Sequence, residues 1–191
     1  MSRVKELEQR LQRTEEQLRL YQKISRLMVK ELSLQEVLQS IVSLVVEFMK
    51  CDSCLLYLVD GDELVLCASN PSHPVTGSVR LKLDEGLTGW VARERRLLAI
   101  SRESYLDSRF KFFQGLPEDS YEAFLSAPVI ARDRVVGVIN VQHRQPHAHT
   151  GSEMEMLTTV GEQVGCLLAL ARLEGTSPQG ALALSPTAVA P

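Results

Sequence analysis

The chain has no excess of positive charge. Its 21 Lys and Arg stand against 24 Asp and Glu, giving a net charge of -3 and a pI of about 5.8. Nucleic acid is held by clustered cations, so no nucleic-acid partner is expected. No run approaches the ~18 apolar residues of a membrane span. The opening residues, MSRVKELEQRLQR, are charged from the third position, with no apolar stretch of the signal-peptide type. The expectation is a cytoplasmic protein with no membrane partner. Gly86 and Gly89 bracket a helix start but lack the Lys-Ser/Thr continuation of a P-loop, leaving only backbone amides as potential anion ligands.

Cysteine is scarce as well: Cys51, Cys54, Cys67 and Cys166. Cys51-x-x-Cys54 invites a redox or zinc reading, but a thioredoxin-like pair opens a helix, and this one leaves a helix and enters a strand. Zinc would need two more ligands, for which His147-x-His149 is the one candidate pair. Reduced, buried core thiols are therefore expected, with no catalytic residue and no metal ligand assigned. His143, His147 and His149 read as a solvated surface loop in preference to a pH sensor or metal site.

What is present is ordinary globular composition, 45% hydrophobic and 24% charged over 191 residues, enough for one domain with additions. Residues 1–30 place Val4, Leu7, Leu11, Leu18 and Tyr21 at heptad spacing among Glu, Gln, Arg and Lys. A stripe this narrow suits pairing with a second chain better than packing on its own domain, so a coiled-coil dimerisation helix is expected, continuing toward Leu32. Ser33 with Glu36 forms a capping box that starts a core helix over 34–49. Strands follow at 53–59, 63–69 and, at an edge, 78–83; a helix spans about 87–94. The final helix, about 151–173, is capped by Thr150 or Ser152. Its apolar surface is wider than one sheet face needs, so Val164 and Leu168 are assigned to a subunit interface, and Gly161, Gly165, Ala169 and Ala171 would allow another helix close. Residues 174–191, uncharged and rich in Ala, Pro, Ser and Gly, read as a disordered tail.

The two strongest strands, 124–131 and 134–142, are joined by Arg132-Asp133, which forces an antiparallel hairpin without the favoured Asn-Gly signature. Strict alternation puts Val136, Val138, Asn140 and Gln142 on one face and Val135, Gly137, Ile139 and Val141 on the other. The second face should carry helices. The first turns polar, which points to a cavity. Gly137 marks a bulge or a close approach. Between Ile100 and Tyr121 lies the longest irregular segment, carrying Tyr105, Phe110, Phe112, Phe113 and Tyr121. It should fold as a lid over the polar face, either closing a ligand pocket or filling a minor core. Pocket candidates are Trp90, Tyr105, Arg109, Phe110, Phe113, Tyr121, Phe124, Ser126, Asn140 and Gln142. Arg109 is expected to pair with Asp107 or Glu118.

Three blocks carry a family resemblance. Ser126, Pro128 and Gly137-Val138-Ile139-Asn140-Val141 resemble the C-terminal hairpin of GAF domains. GLTGWVARERRLLAI (86–100) is similar to that family's helix and following segment, and Asp107-Ser108-Arg109-Phe110 to its Asp-x-Arg-Phe loop. The likeness runs over 22–173 and extends to bacterial modules such as the one in nitrogen-branch phosphotransferase Enzyme I. It implies an α+β, PAS-related fold: an antiparallel sheet with terminal helices on one face and a lidded pocket on the other. It also implies a non-catalytic sensory or regulatory homodimer that binds a small molecule, of unassigned identity, and signals to a partner protein in trans, since no output domain is recognised after Leu173. A ligand-free dimerisation scaffold is the alternative. A free methionine sulfoxide reductase is less favoured, because Thr88 stands near where reactive thiols would be and no cysteine lies between Val91 and Gln142.

Overall fold

The hairpin forms as expected, from β5 (Ala123–Ala131) and β6 (Arg134–His143). Arg132 and Asp133 both adopt positive φ, 47° and 61°, the left-handed pair that matches the twist of a two-residue hairpin. Arginine does not favour that region, which aspartate enters more readily. Arg95 holds the turn, donating from Nη2 to the Asp133 carbonyl at 2.8 Å and to Oδ1 at 2.6 Å.

The computed structural model describes residues 3–112 and 121–173; the tail expected over 174–191, Phe113 and Glu118 lie outside them. The other elements are α1 (Arg3–Met28), α2 (Leu34–Met49), β1 (Ser53–Asp60), β2 (Glu63–Asn70), β3 (Arg80–Lys82), α3 (Gly86–Glu94), β4 (Leu98–Ile100), a 3-10 turn at Ser104–Leu106 and α4 (Gly151–Leu173). They build an antiparallel sheet of order β3-β2-β1-β6-β5-β4. The edge strand β4 was not expected. Its three residues follow α3 too closely to show a period of their own.

Helices α1, α2 and α4 cover one face, over a core that includes Leu20, Ile24, Leu38, Ile41, Leu56, Leu125, Ile139 and Val160. On the opposite face α3 and the start of the lid cover a second core, with Leu55, Tyr57, Leu66, Val91, Phe124 and Val138. Strict alternation fails at one point of β6. Val129 pairs with Gly137 and Ile130 with Val135, so Val136 is bulged out of register. The extra residue reverses the phase: Val136 joins the helix-face core and Val135 the α3 face. Gly137 beside it is also a close approach, since a Cβ there would stand 2.4 Å from the Tyr57 carbonyl oxygen.

The Ser33 capping box starts α2, with the Glu36 carboxylate accepting from the Ser33 N–H at 2.8 Å. Helix α4 is long and apolar enough, by length and composition, to cross a membrane. It is the core helix of the sheet, and its small residues serve a strand where a helix was expected: Gly161 and Gly165 lie against the Pro128 and Ile130 carbonyls of β5. Helix α1 runs parallel to α4, joined by Gln17 Nε2 to Ser152 Oγ at 2.8 Å and, two turns on, Gln163 Nε2 to Ser25 Oγ at 3.4 Å. Residues 3–15 of α1 are exposed throughout and project past the domain.

Candidate ligand site on the lid face

Cross-strand pairing sets two rows on the lid face. Leu55, Asn140, Ser126 and Leu98 form one, and Ser53, Gln142, Phe124 and Ile100 the next. In the first row Asn140, 1% exposed, is fully engaged: Ser126 Oγ donates to its Oδ1 at 2.7 Å, and its Nδ2 donates to Thr88 Oγ1 at 2.8 Å. Asn140 and Ser126 are therefore a strut between sheet and α3. The role of Thr88 was not read from the sequence; a threonine on the buried side of a short helix gave no sign of its partner.

The second row is different. Gln142 Oε1 and Ser53 Oγ are buried side by side, each without a hydrogen-bond partner. A buried acceptor left unpaired costs about 1–3 kcal/mol, so this is where a donor would be taken up. Phe124 beside them is 5% exposed and supplies an apolar wall.

The lid is pinned at its start. Asp107 accepts from Arg109 Nε at 2.8 Å and Nη2 at 2.7 Å, and from the Arg109 N–H at 2.9 Å. Hydrogen bonds from Arg109 hold the Asp107 carboxyl below its ordinary value. The guanidinium lies over the Trp90 ring of α3, 4.5 Å from its centroid. Phe110 packs on the α3-side core and meets Phe112 edge-on at 5.0 Å. Tyr105 Oη donates to Glu122 Oε1 at 2.9 Å, which raises the phenol above its ordinary value. Glu122 also accepts from the Glu103 N–H, and Ser104 Oγ donates to the carbonyl of the buried Tyr121. Glu122 was missed by sequence reasoning because a single acid between two strands carries no pattern. At the start of α3 the Glu85 side chain accepts from the Lys82 N–H and pairs with Lys111, so an acid rather than a free anion stands there.

Of the residues assigned to dimerisation, Leu7, Leu11 and Leu18 are 57%, 61% and 54% exposed and form a free stripe with Val4. Tyr21 is partly buried against the core. Val164 and Leu168 are a correction: they are sealed in the protomer's own core, and the exposed large apolar side chains of α4 are Leu170 and Leu173.

The thiols at 51, 54 and 67 lie in the helix-face core, away from the lid. Burial pushes Cys51 and Cys67 up to about 12 and Cys54 well above its ordinary value, the opposite of what a nucleophile needs. Cys166 is exposed on α4. The expectation of solvated histidines is overturned, since His143 and His149 are 7% and 8% exposed. Burial, then neighbouring His147, lowers His143; burial, then His147 and His143, lowers His149 to about 4.

The family model described as the GAF domain matches residues 33–168, well over half of the chain. The chain belongs to the GAF domain family. The GAF domain of an Acinetobacter phosphoenolpyruvate-protein phosphotransferase is 31% identical, with a TM-score of 0.73 over 83% of this chain and 96% of that one. The corresponding Coxiella burnetii domain is 25% identical with a TM-score of 0.77, over the same shares. A protein of the phosphoenolpyruvate-dependent phosphotransferase system of Escherichia coli K12 is 28% identical over 143 residues, 73% of this chain and 19% of that protein. The chain thus spans about a fifth of the length of the curated relatives it matches. A Neisseria meningitidis free methionine-R-sulfoxide reductase, solved with its substrate, has a TM-score of 0.68 at 15% identity, over 81% of this chain and 89% of that one. That likeness shows the GAF fold alone.

Proposed function

We propose that this GAF domain is a non-catalytic sensory or regulatory module of the cytoplasm. It takes a small molecule between sheet and lid, pairs through α1 as a homodimer, and passes the change to a partner protein. The observation that carries the ligand is the row of Gln142 Oε1 and Ser53 Oγ, buried and unpaired under the lid side of the sheet. A molecule offering an N–H or O–H donor and an apolar body for Phe124 would satisfy both. The remote, acid-weakened thiols argue against a reductase in this chain. The likeness to phosphotransferase GAF domains supports a regulatory role. The exposed Val4-Leu7-Leu11-Leu18 stripe supports pairing.

A ligand-free scaffold is the second reading, favoured by Asn140, whose amide is already spent on Ser126 and Thr88. Native mass spectrometry of the protein purified from its own cells separates the two. A dimer carrying a retained small molecule, lost in Gln142→Leu, is expected; a bare dimer supports the scaffold. Pairing is tested by sedimentation of Leu7→Ser/Leu11→Ser/Leu18→Ser, which should be monomeric. Removing all of α1 is a poorer test, because Leu20 and Ile24 are core residues. An unchanged mass for the substituted chain refutes the α1 interface.

A further inference from the structure

At the end of β6, on the helix face, three histidines converge. One ring nitrogen from each of His143, His147 and His149 lies within 4.8 Å of the other two. His143 Nε2 and both nitrogens of His149 are buried without a partner in hydrogen-bond geometry, although the Ile100 carbonyl lies close enough to His149 to act on its ring. Two side chains more than nine-tenths buried, with lone pairs or protons facing one another, need a reason.

The third histidine is already oriented. His147 Nε2 lies 2.7 Å from Glu153 Oε1, and since a carboxylate can only accept, that nitrogen carries the proton and Nδ1 is free to bind. Glu153 is itself fixed as the capping-box acid of α4: its Oε2 accepts from the Thr150 N–H at 2.7 Å and from Thr150 Oγ1 at 2.8 Å. A carboxylate that holds the far nitrogen of an imidazole is the usual outer support of a metal-binding histidine. His143, His147 and Glu153 also line a groove of about 360 Å³ with Arg13 and Glu16 of α1 and Lys50, which gives an ion a way in and leaves a fourth position for water. Glu16, Glu153 and nearby Asp52 offset Arg13 and Lys50.

We propose that His143, His147 and His149 form a binding site for a divalent ion of the imidazole-preferring class, zinc foremost, with Glu153 orienting His147. Zinc sits about 2.0–2.1 Å from each nitrogen, with tetrahedral ligands about 3.3 Å apart, so the cluster must draw in by up to about 1.5 Å. One ring must also turn. His143 and His147 are stacked at 4.1 Å with 14° between their planes, and an ion lies in the plane of each ring that binds it. His147, about a third exposed on its loop, is the ring with room to turn, pivoting about its Nε2 bond to Glu153.

Titration of the full chain with zinc sulfate by calorimetry, and with cobalt(II) by visible absorption, tests this. One ion per protomer, a cobalt spectrum of four-coordinate nitrogen and oxygen ligation, and a rise in melting temperature with zinc are expected. His147→Gln and His149→Gln should each abolish stoichiometric binding at micromolar zinc. Glu153→Gln, which preserves the capping box, should weaken binding about 10–100-fold. His73→Gln and replacement of all four cysteines by Ser should leave it unchanged. His147→Gln is near the surface and should fold, which keeps the test open if His149→Gln does not. Absence of binding to the parent chain, binding that survives His147→Gln, or binding lost with the cysteines overturns the site.

Discussion

Gly165→Ala probes how closely α4 lies on the sheet. A Cβ at this position would stand 2.1 Å from the Ile130 carbonyl oxygen and 2.9 Å from its carbon, more than an ångström inside ordinary contact. Both partners are backbone, so no side chain can turn aside and α4 must lift from β5. Overpacking of a core costs about 1–3 kcal/mol, and a backbone collision belongs at the top of that range. Alanine returns about 1 kcal/mol through its better helix propensity. The net loss is about 2 kcal/mol, which for a domain of this size lowers the melting temperature by about 4–8 °C. Gly161→Ala is the internal control: same helix, same chemistry, but 3.2 Å from the Pro128 carbonyl oxygen. Propensity and contact nearly cancel there, and stability should stay within about 0.5 kcal/mol of the parent. Urea unfolding followed by far-ultraviolet circular dichroism, at one fixed protein concentration, measures both. If Gly165→Ala proves as stable as Gly161→Ala, the close seating of α4 on β5 is wrong.

In native protein an aromatic disulfide reagent should modify one thiol promptly, Cys166, and reach Cys51, Cys54 and Cys67 only on unfolding; early modification of a second thiol contradicts the buried placement. Asn140→Leu leaves the Ser126 and Thr88 hydroxyls buried without their partner and should cost about 1–3 kcal/mol, part of it recovered in Asn140→Leu/Ser126→Ala/Thr88→Val; additive losses in denaturant melts would refute the strut. The Arg109 hydrogen bonds depress Asp107 in the folded state, so the pair's contribution is present above the ordinary value of 3.8 and lost as pH falls through the lower folded value. Trp90, the single tryptophan, lies under Arg109 and should report that loss as an acid-side step in fluorescence, absent in Asp107→Asn; a step that persists in the variant excludes Asp107 as its source.

The regular elements were legible wherever a period repeats. The α2 capping box, the hairpin strands and the stripe of α1 all carry their structure in local spacing. What could not be read depends on register or on distance along the chain. One bulged residue, Val136, exchanged the faces of two valines, and nothing in a run of Val and Gly marks which residue will be skipped. β6 does turn a polar face away from the terminal helices, but Asn140 and Gln142 looked equivalent in the sequence. Only the arrival of Thr88, 52 residues away, satisfies one and leaves the other open. The histidines misled for the opposite reason: His147-x-His149, after Pro146 and among polar residues, reads as surface, and the elements that meet it, α2 at Phe48 and Met49 and β4 at Ile100, lie far from it in the sequence.

The parallel course of α1 and α4 gives the domain a polarity. α1 arrives at the histidine end and α4 leaves beside the hairpin turn, about 34 Å away by the length of its 23 residues. Anything joined to the two ends would be wired in series through the domain, with the α1–α4 contact and the sheet beneath it as links between them. The projecting part of α1 is then a pointer about 20 Å long. A tilt of about 5° where Gln17 grips Ser152 would swing its tip by roughly 2 Å, comparable to the helix shifts by which subunit interfaces switch.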